Sequence, residues 1–154
     1  MKCSLVDYLR TGRLGTLALG STMQEVFASL GKPDSWAEGD KSFFDERWWG
    51  FGRFQIFWDK SVMNTMGIYL RKEYYNFPPI FEFEGYIPDI NFYSEMLIQL
   101  MVESEIKYVF HEHEPGRDGI LTEGNILAIL AGPKGKRRVI SMIRSRKMDE
   151  EGGT

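Results

Sequence analysis

Residues 15–36 read GTLALGSTMQEVFASLGKPDSW, and their reading decides the fold class because a start, a turn and a stop are all spelled in local chemistry. The apolar run Leu17 to Leu19 predicts a short strand. Thr22 is placed to cap a helix, and Glu25, three residues on, to return the bond, because first-turn amides have no partner inside a helix. Met23, Val26, Phe27 and Leu30 recur at helical spacing and form the expected buried face. Gly31 then suits a left-handed C-terminal residue, and Pro33 forbids continuation.

Reading outward from this stretch, Leu5, Tyr8 and Leu9 predict an amphipathic helix over 3–11, ended by Gly12. Strands are expected at 42–49, 53–58 and 65–71. In the second, Phe54, Ile56 and Trp58 alternate with Arg53, Gln55 and Phe57, the period of a sheet with one buried face. Gly50-Phe51-Gly52 and Asp59-Lys60-Ser61 suit hairpin turns. The connection 73–79 carries Pro78 and Pro79 and is excluded from regular structure. The order then repeats: a short strand at Ile80 to Phe83, and a helix over 91–103 with Asn91 as cap and Phe92, Met96, Leu97 and Leu100 on one face. Strands follow at 106–113, 119–130 (broken near Glu123-Gly124) and 136–144.

The expected fold is therefore α+β: two tandem strand-helix-meander units, antiparallel, with helices on one face. One compact domain is expected over 1–147, its halves spanning about 13–72 and 80–147. A polar, disordered tail is expected from Met148 to Thr154.

Bulk properties narrow the function classes. A chain of 154 residues buries roughly 68–70% of its unfolded surface, so it needs no covalent staple. Its 43% apolar and 27% charged content is that of a globular protein. Cys3 is the single cysteine, which excludes a disulfide framework and makes the reducing cytoplasm the expected compartment. Asp7, Arg10 and Arg13 interrupt what a secretory signal would keep apolar, and no run reaches the 18 or more apolar residues of a membrane span.

Net charge is −3, unevenly spread: Glu82 to Glu123 holds ten acids against Lys107 and Arg117, whereas Lys134 to Lys147 holds seven bases and no acid. On adjacent strands these segments would neutralise each other. The basic run alternates with Val139, Ile140, Met142 and Ile143, as a half-buried strand does, and nucleic-acid binding is disfavoured by the acids around it. In GPKGKRR, at 132–138, a phosphate loop would require Gly where Leu130 stands and Ser or Thr where Arg137 stands. The stretch reads instead as a hairpin turn.

No Ser or Cys is arranged with a His and an acid, and the carboxylate pairs Asp45-Glu46 and those around Glu103 read as solvated. His111 and His113, the two histidines, would share one face of a strand and form the metal or small-ligand alternative, although two donors are too few for structural zinc. No cofactor is expected. Trp36, Trp48, Trp49 and Trp58 read as core, whereas Tyr74, Tyr75 and Phe77, kept out of regular structure by prolines, read as interface anchors.

The stretch 15–36, followed by an aromatic hairpin and FQIFWDKSVMNTMGIYL at 54–70, resembles the half-unit of the beta-lactamase inhibitor protein and of the outer-membrane-assembly lipoprotein family related to it. Residues 80–144 follow the same element order. The resemblance implies a tandem α+β fold and a non-enzymatic binding role, and with one cysteine in place of the secreted inhibitor's pairs it carries over no target. In type the chain is also similar to immunity proteins that neutralise toxins inside bacterial cells. The expected partner is thus a basic protein, a toxin or enzyme, met by Tyr74, Tyr75 and Phe77 with Glu82, Glu84, Glu103, Glu105, Glu112 and Glu114.

Overall fold

A computed structural model describes residues 1–36, 42–45, 47–114, 117–133 and 135–152. The fold is α+β. Its elements run β1 (Lys2–Ser4), α1 (Leu5–Thr11), α2 (Met23–Leu30), β2 (Ser35–Trp36), a 3-10 turn (Phe43–Asp45), β3 (Trp48–Phe51), β4 (Phe54–Asp59), β5 (Val62–Tyr69), β6 (Glu82–Glu84), α3 (Ser94–Glu103), β7 (Tyr108–Glu114), β8 (Arg117–Thr122), β9 (Ile126–Ala131), β10 (Arg138–Ser145) and α4 (Arg146–Gly152).

Eight strands form one antiparallel sheet in the order β2-β3-β4-β5-β10-β9-β8-β7. Its two middle strands, β5 and β10, are both eight residues long and pair with Met142 opposite Ile68. β1 and β6 make a separate parallel pair.

Local chemistry accounts for the first two helices. The Ser4 hydroxyl accepts the Asp7 N–H at the start of α1, and Gly12, at φ 76°, closes it with its N–H on the Tyr8 carbonyl. In α2 the Thr22 hydroxyl accepts the Glu25 N–H at 3.2 Å and donates to the Glu25 carboxylate. Gly31 follows at φ 77°.

Packing decides the rest. One pleat face of the sheet, with Phe54, Ile56, Met66, Ile68, Ala128, Leu130, Val139 and Met142, shares a single apolar cluster with Tyr8 and Leu9 of α1, Met23 and Val26 of α2, and Leu97 and Met101 of α3. Tyr8 is wholly buried, and its hydroxyl donates to the Met142 carbonyl at 2.9 Å, so α1 is fastened over the sheet's centre. Past its end, α1 docks backbone to backbone on the β8–β9 turn. Thr122 Oγ1 and the Gly124 N–H both donate to the Leu9 carbonyl, and a Cβ on Gly124 would lie 2.7 Å from it.

Several expectations differ in detail. Leu17 to Leu19 form no strand; a tight turn with Gly15 at φ 60° brings Leu14 and Leu17 together instead. The strand expected from 42 begins at Trp48, because Phe43 turns its carbonyl to Trp49 Nε1. Of the expected α2 face, Phe27 is 37% exposed and Leu30 only half-buried. Tyr93, with no side-chain capping bond, stands at the cap of α3, while the Asn91 N–H is taken by Asp89.

The tail expected to be disordered from Met148 is helical as α4 through Gly152. Met148 packs on Leu127 and Ile129, and Asp149 is held by Arg144 and Asn125. These strand positions lie on the opposite pleat face, so helices on one face describes α1 to α3 and not α4. No helix among the described residues is long and apolar enough to cross a membrane.

Candidate partner-binding surfaces

The structure disperses the expected anchors. Tyr74 sets its ring edge-on to Tyr69 at 6.3 Å, and Phe77 packs with Phe83 at 4.6 Å beneath the Arg53 guanidinium. Tyr75 alone of the three stands clear, 76% exposed. Glu82 and Glu84 lie on β6, where Lys2 Nζ approaches Glu84 at 3.8 Å. Glu103 ends α3 and accepts from Gln99, and Glu105 occupies the next turn at φ 56°. Glu112 and Glu114 are on β7, their side chains outside the described residues. The nine residues therefore fall on four parts of the fold.

The acidic and basic segments do not neutralise each other across neighbouring strands, since β9 and β8 separate β10 from β7. One ion pair does join the two segments, Arg137 with Asp118 of β8, whereas Arg144 pairs with Asp149 of α4. Lys136 closes its turn on the Pro133 carbonyl, as a hairpin requires. The register shifts between Glu112 and Glu114, the His113 side chain lies outside the described residues, and among the described residues no three His, Cys, Asp or Glu gather as metal ligands. Burial pushes the Cys3 thiol up to about 11, which suppresses its thiolate.

Two surfaces stand out. The first is the sheet face opposite α1 to α3, covered in part by α4, where register places Trp48, Gly50, Gln55, Phe57, Gly67, Tyr69 and Ile143. Trp48 and Tyr69 each fold back over a glycine two residues away. A Cβ on Gly50 would meet the Trp48 ring at 3.0 Å, and one on Gly67 the Tyr69 ring at 2.8 Å. Between them Gln55 is buried, accepts from Trp48 Nε1 at 3.0 Å, and leaves its Nε2 without a partner among the described residues. Burial, with Tyr74 close by, pushes the Tyr69 phenol up to about 12, while Arg71 acts the other way. Beside these rings, Thr65, Tyr69, Ile129, Ile143 and Met148 line a cleft of about 220 Å³ under α4.

The second is β7, at the end of the strand order. Val109 is 59% and Phe110 70% exposed, on opposite pleat faces. Val102, at the end of the helix that leads into β7, is exposed as well.

A wider cleft, about 880 Å³, is an open groove along β1 and α1 lined by Ser4, Asp7, Arg13, Thr16 and Glu84. Asp7 is within 3.7 Å of Arg10 and Glu84 is near Lys2, the ordinary state of surface charges.

Sequence reasoning placed Trp48 in the core and passed over Gln55, Phe57, Tyr69, Val109 and Phe110. The available signal was the glycine two residues from an aromatic, Trp48 to Gly50 and Gly67 to Tyr69, which lets a ring lie flat on a sheet. Compared with known proteins, the chain matches no family model, no curated protein and no solved structure.

Proposed function

We propose that the chain is a protein-binding module of the immunity or inhibitor type, acting in the cytoplasm by occupying a partner, a bacterial toxin or enzyme. The observation that carries this reading is the sheet face opposite α1 to α3. Its flat-lying Trp48 and Tyr69, its 40% exposed Phe57 and the apolar cleft by α4 form a rigid, aromatic, half-open surface. Rigid aromatics on a regular scaffold lose little entropy on binding and are enriched among residues that dominate interface energies.

We also infer a tandem origin for the fold. Helix α2 with β2–β5, and α3 with β7–β10, run outward in mirrored succession from the β5–β10 junction, as two similar units about a pseudo-twofold axis would.

The test is to identify the partner by affinity capture from the source organism and reconstitute it with the purified chain. A stoichiometric complex surviving gel filtration is expected, weakened at least about tenfold by a Trp48→Ala, Tyr69→Ala double variant that still melts cooperatively. Undiminished affinity in that variant removes the sheet face from the reading, and failure of any protein to bind stoichiometrically removes the reading itself.

A further inference from the structure

Building on the reading of the chain as a protein-binding module, we propose that β7 is a docking edge and that its occupant is an extended, Lys- or Arg-bearing segment of the partner, added to the sheet as its next strand. Three observations converge on it.

The first is the backbone. The Glu123 N–H donates to the Lys107 carbonyl at 2.9 Å, and Tyr108 stands opposite Thr122 in an antiparallel register. Antiparallel ladders alternate strictly, so Val109 and His111 also turn their backbone groups toward β8. Tyr108, Phe110 and Glu112 therefore aim theirs outward, where no strand lies among the described residues. The register shift after Glu112 ends the regular ladder and confines docking to Tyr108–Glu112.

The second is the side chains. Natural edges are blunted with lysines, prolines or brevity. The opposite edge, β2, is two residues long, whereas β7 has seven and exposes Val109 on one pleat face and Phe110 on the other. An added strand covers both.

The third is charge. From Glu103 to Glu114 the sequence holds four glutamates and one lysine. Arg137 is engaged by Asp118 of β8 and leaves this field in place. A basic strand is drawn to it, whereas a second copy of the chain would bring the same glutamates against it. Strand addition supplies affinity through the main chain and selectivity through alternate side chains, which suits an edge that is both apolar and acidic.

Amide exchange of the labelled full chain tests this, with a blocked peptide alternating Lys and Val as probe and its Glu-for-Lys counterpart as control. At low salt the Lys peptide is expected to slow exchange at Tyr108, Phe110 and Glu112 by at least about tenfold, leaving Val109 and His111, already bonded to β8, unchanged. High salt should reverse the effect, and the Glu peptide should have none. Phe110→Pro removes an outward N–H and no ladder bond, so it should abolish protection. Glu112→Lys should weaken it without touching the backbone. Protection at the Trp48 and Tyr69 face instead, or equal binding of both peptides, overturns the edge while leaving the module reading intact. Protection of the three amides in the peptide-free chain, alongside a dimer in sedimentation, overturns it in favour of a second copy. Loss of all partner binding in the capture experiment strikes the module reading and leaves the peptide result to decide the edge.

Discussion

The two ends of the sheet solve one problem in opposite ways. At the β2 end the strand is short, and rings do the sealing. Phe43 lies 4.5 Å from Phe44, 5.5 Å from Trp49 and 5.8 Å from Trp36, and Lys32 sits over the Trp36 ring. Trp49 is fully buried and bonds the Phe43 carbonyl, so the covering segment is tied to the strand it covers. At the β7 end the cover is helical and stops short: α1 meets the β8–β9 turn, α4 covers β9, and β7 is left with Tyr108 against Phe110 at 6.1 Å. Phe43 and Phe110 are the same residue, one packed against the core and the other mostly in solvent. Residue type thus does not separate a sealed edge from an open one; the neighbouring segment does.

The most damaging way to break this contrast is Trp49→Ala. It empties the middle of the ring cluster, and a loss of about 3–5 kcal/mol in denaturant melts is expected, with the β2 end becoming prone to association. A loss under about 1 kcal/mol would show that the rings are not what closes that end. Next comes Gly124→Ala on the helical side. The new methyl would meet the Gly12 nitrogen and the Leu9 carbonyl at 2.7 Å, both backbone and unable to yield, so a cost of about 1–3 kcal/mol is expected. A melt unchanged from the parent would mean that α1 does not dock where the β8–β9 turn meets it.

Acid should loosen α4 by a smaller amount. Bonds from Arg144 hold the Asp149 carboxyl below its ordinary 3.8, with Asn125 adding to the effect. The native state therefore binds this proton less readily than the unfolded state, so the contribution is present above 3.8 and is lost as pH falls through and below that value. Asp149 is 41% exposed, and less than about 1 kcal/mol is at stake. Exchange of the α4 amides, compared at neutral and acid pH, should accelerate on acidification in the parent and stay pH-insensitive in Asp149→Asn, after correction for the intrinsic rate. Equal acceleration in both would show that a titrating group other than Asp149 loosens α4.

What was legible in the sequence was whatever is decided within a few residues. Gly12 and the Thr22–Glu25 cap set their helix ends by local bonds, and the breaks at Gly50-Phe51-Gly52 and Glu123-Gly124 set strand ends close to where they lie. Phe43 and Phe44 extend an apolar run that reads as strand, and their turn exists because Trp49, farther along, reaches back for a carbonyl. The stretch from Met148 reads as a polar, disordered tail, because the Leu127, Ile129 and Asn125 that hold α4 are distant in sequence. The candidate surfaces were hidden for the same reason. Whether Trp48 is core or surface depends on which pleat face the helices cover, and whether β7 is central or an edge depends on strand order, neither of which periodicity records.

The smallest expected effect on stability bears most directly on the comparison. Phe110→Lys removes an apolar ring from a position already 70% exposed, so folding should change by no more than about 0.5 kcal/mol. Lysine is also the residue natural edges use to refuse a neighbour, because its charge and hydration oppose burial beneath an added strand. The variant should therefore melt with the parent and yet lose association at β7, read as lower aggregation on concentration and weaker binding of the reconstituted partner. The same exchange at Phe57, also exposed but on β4 inside the sheet, should not lower association through an edge. If Phe110→Lys instead costs more than about 1.5 kcal/mol, the ring is supporting the fold, and the β7 end is closed by its own side chains much as the β2 end is.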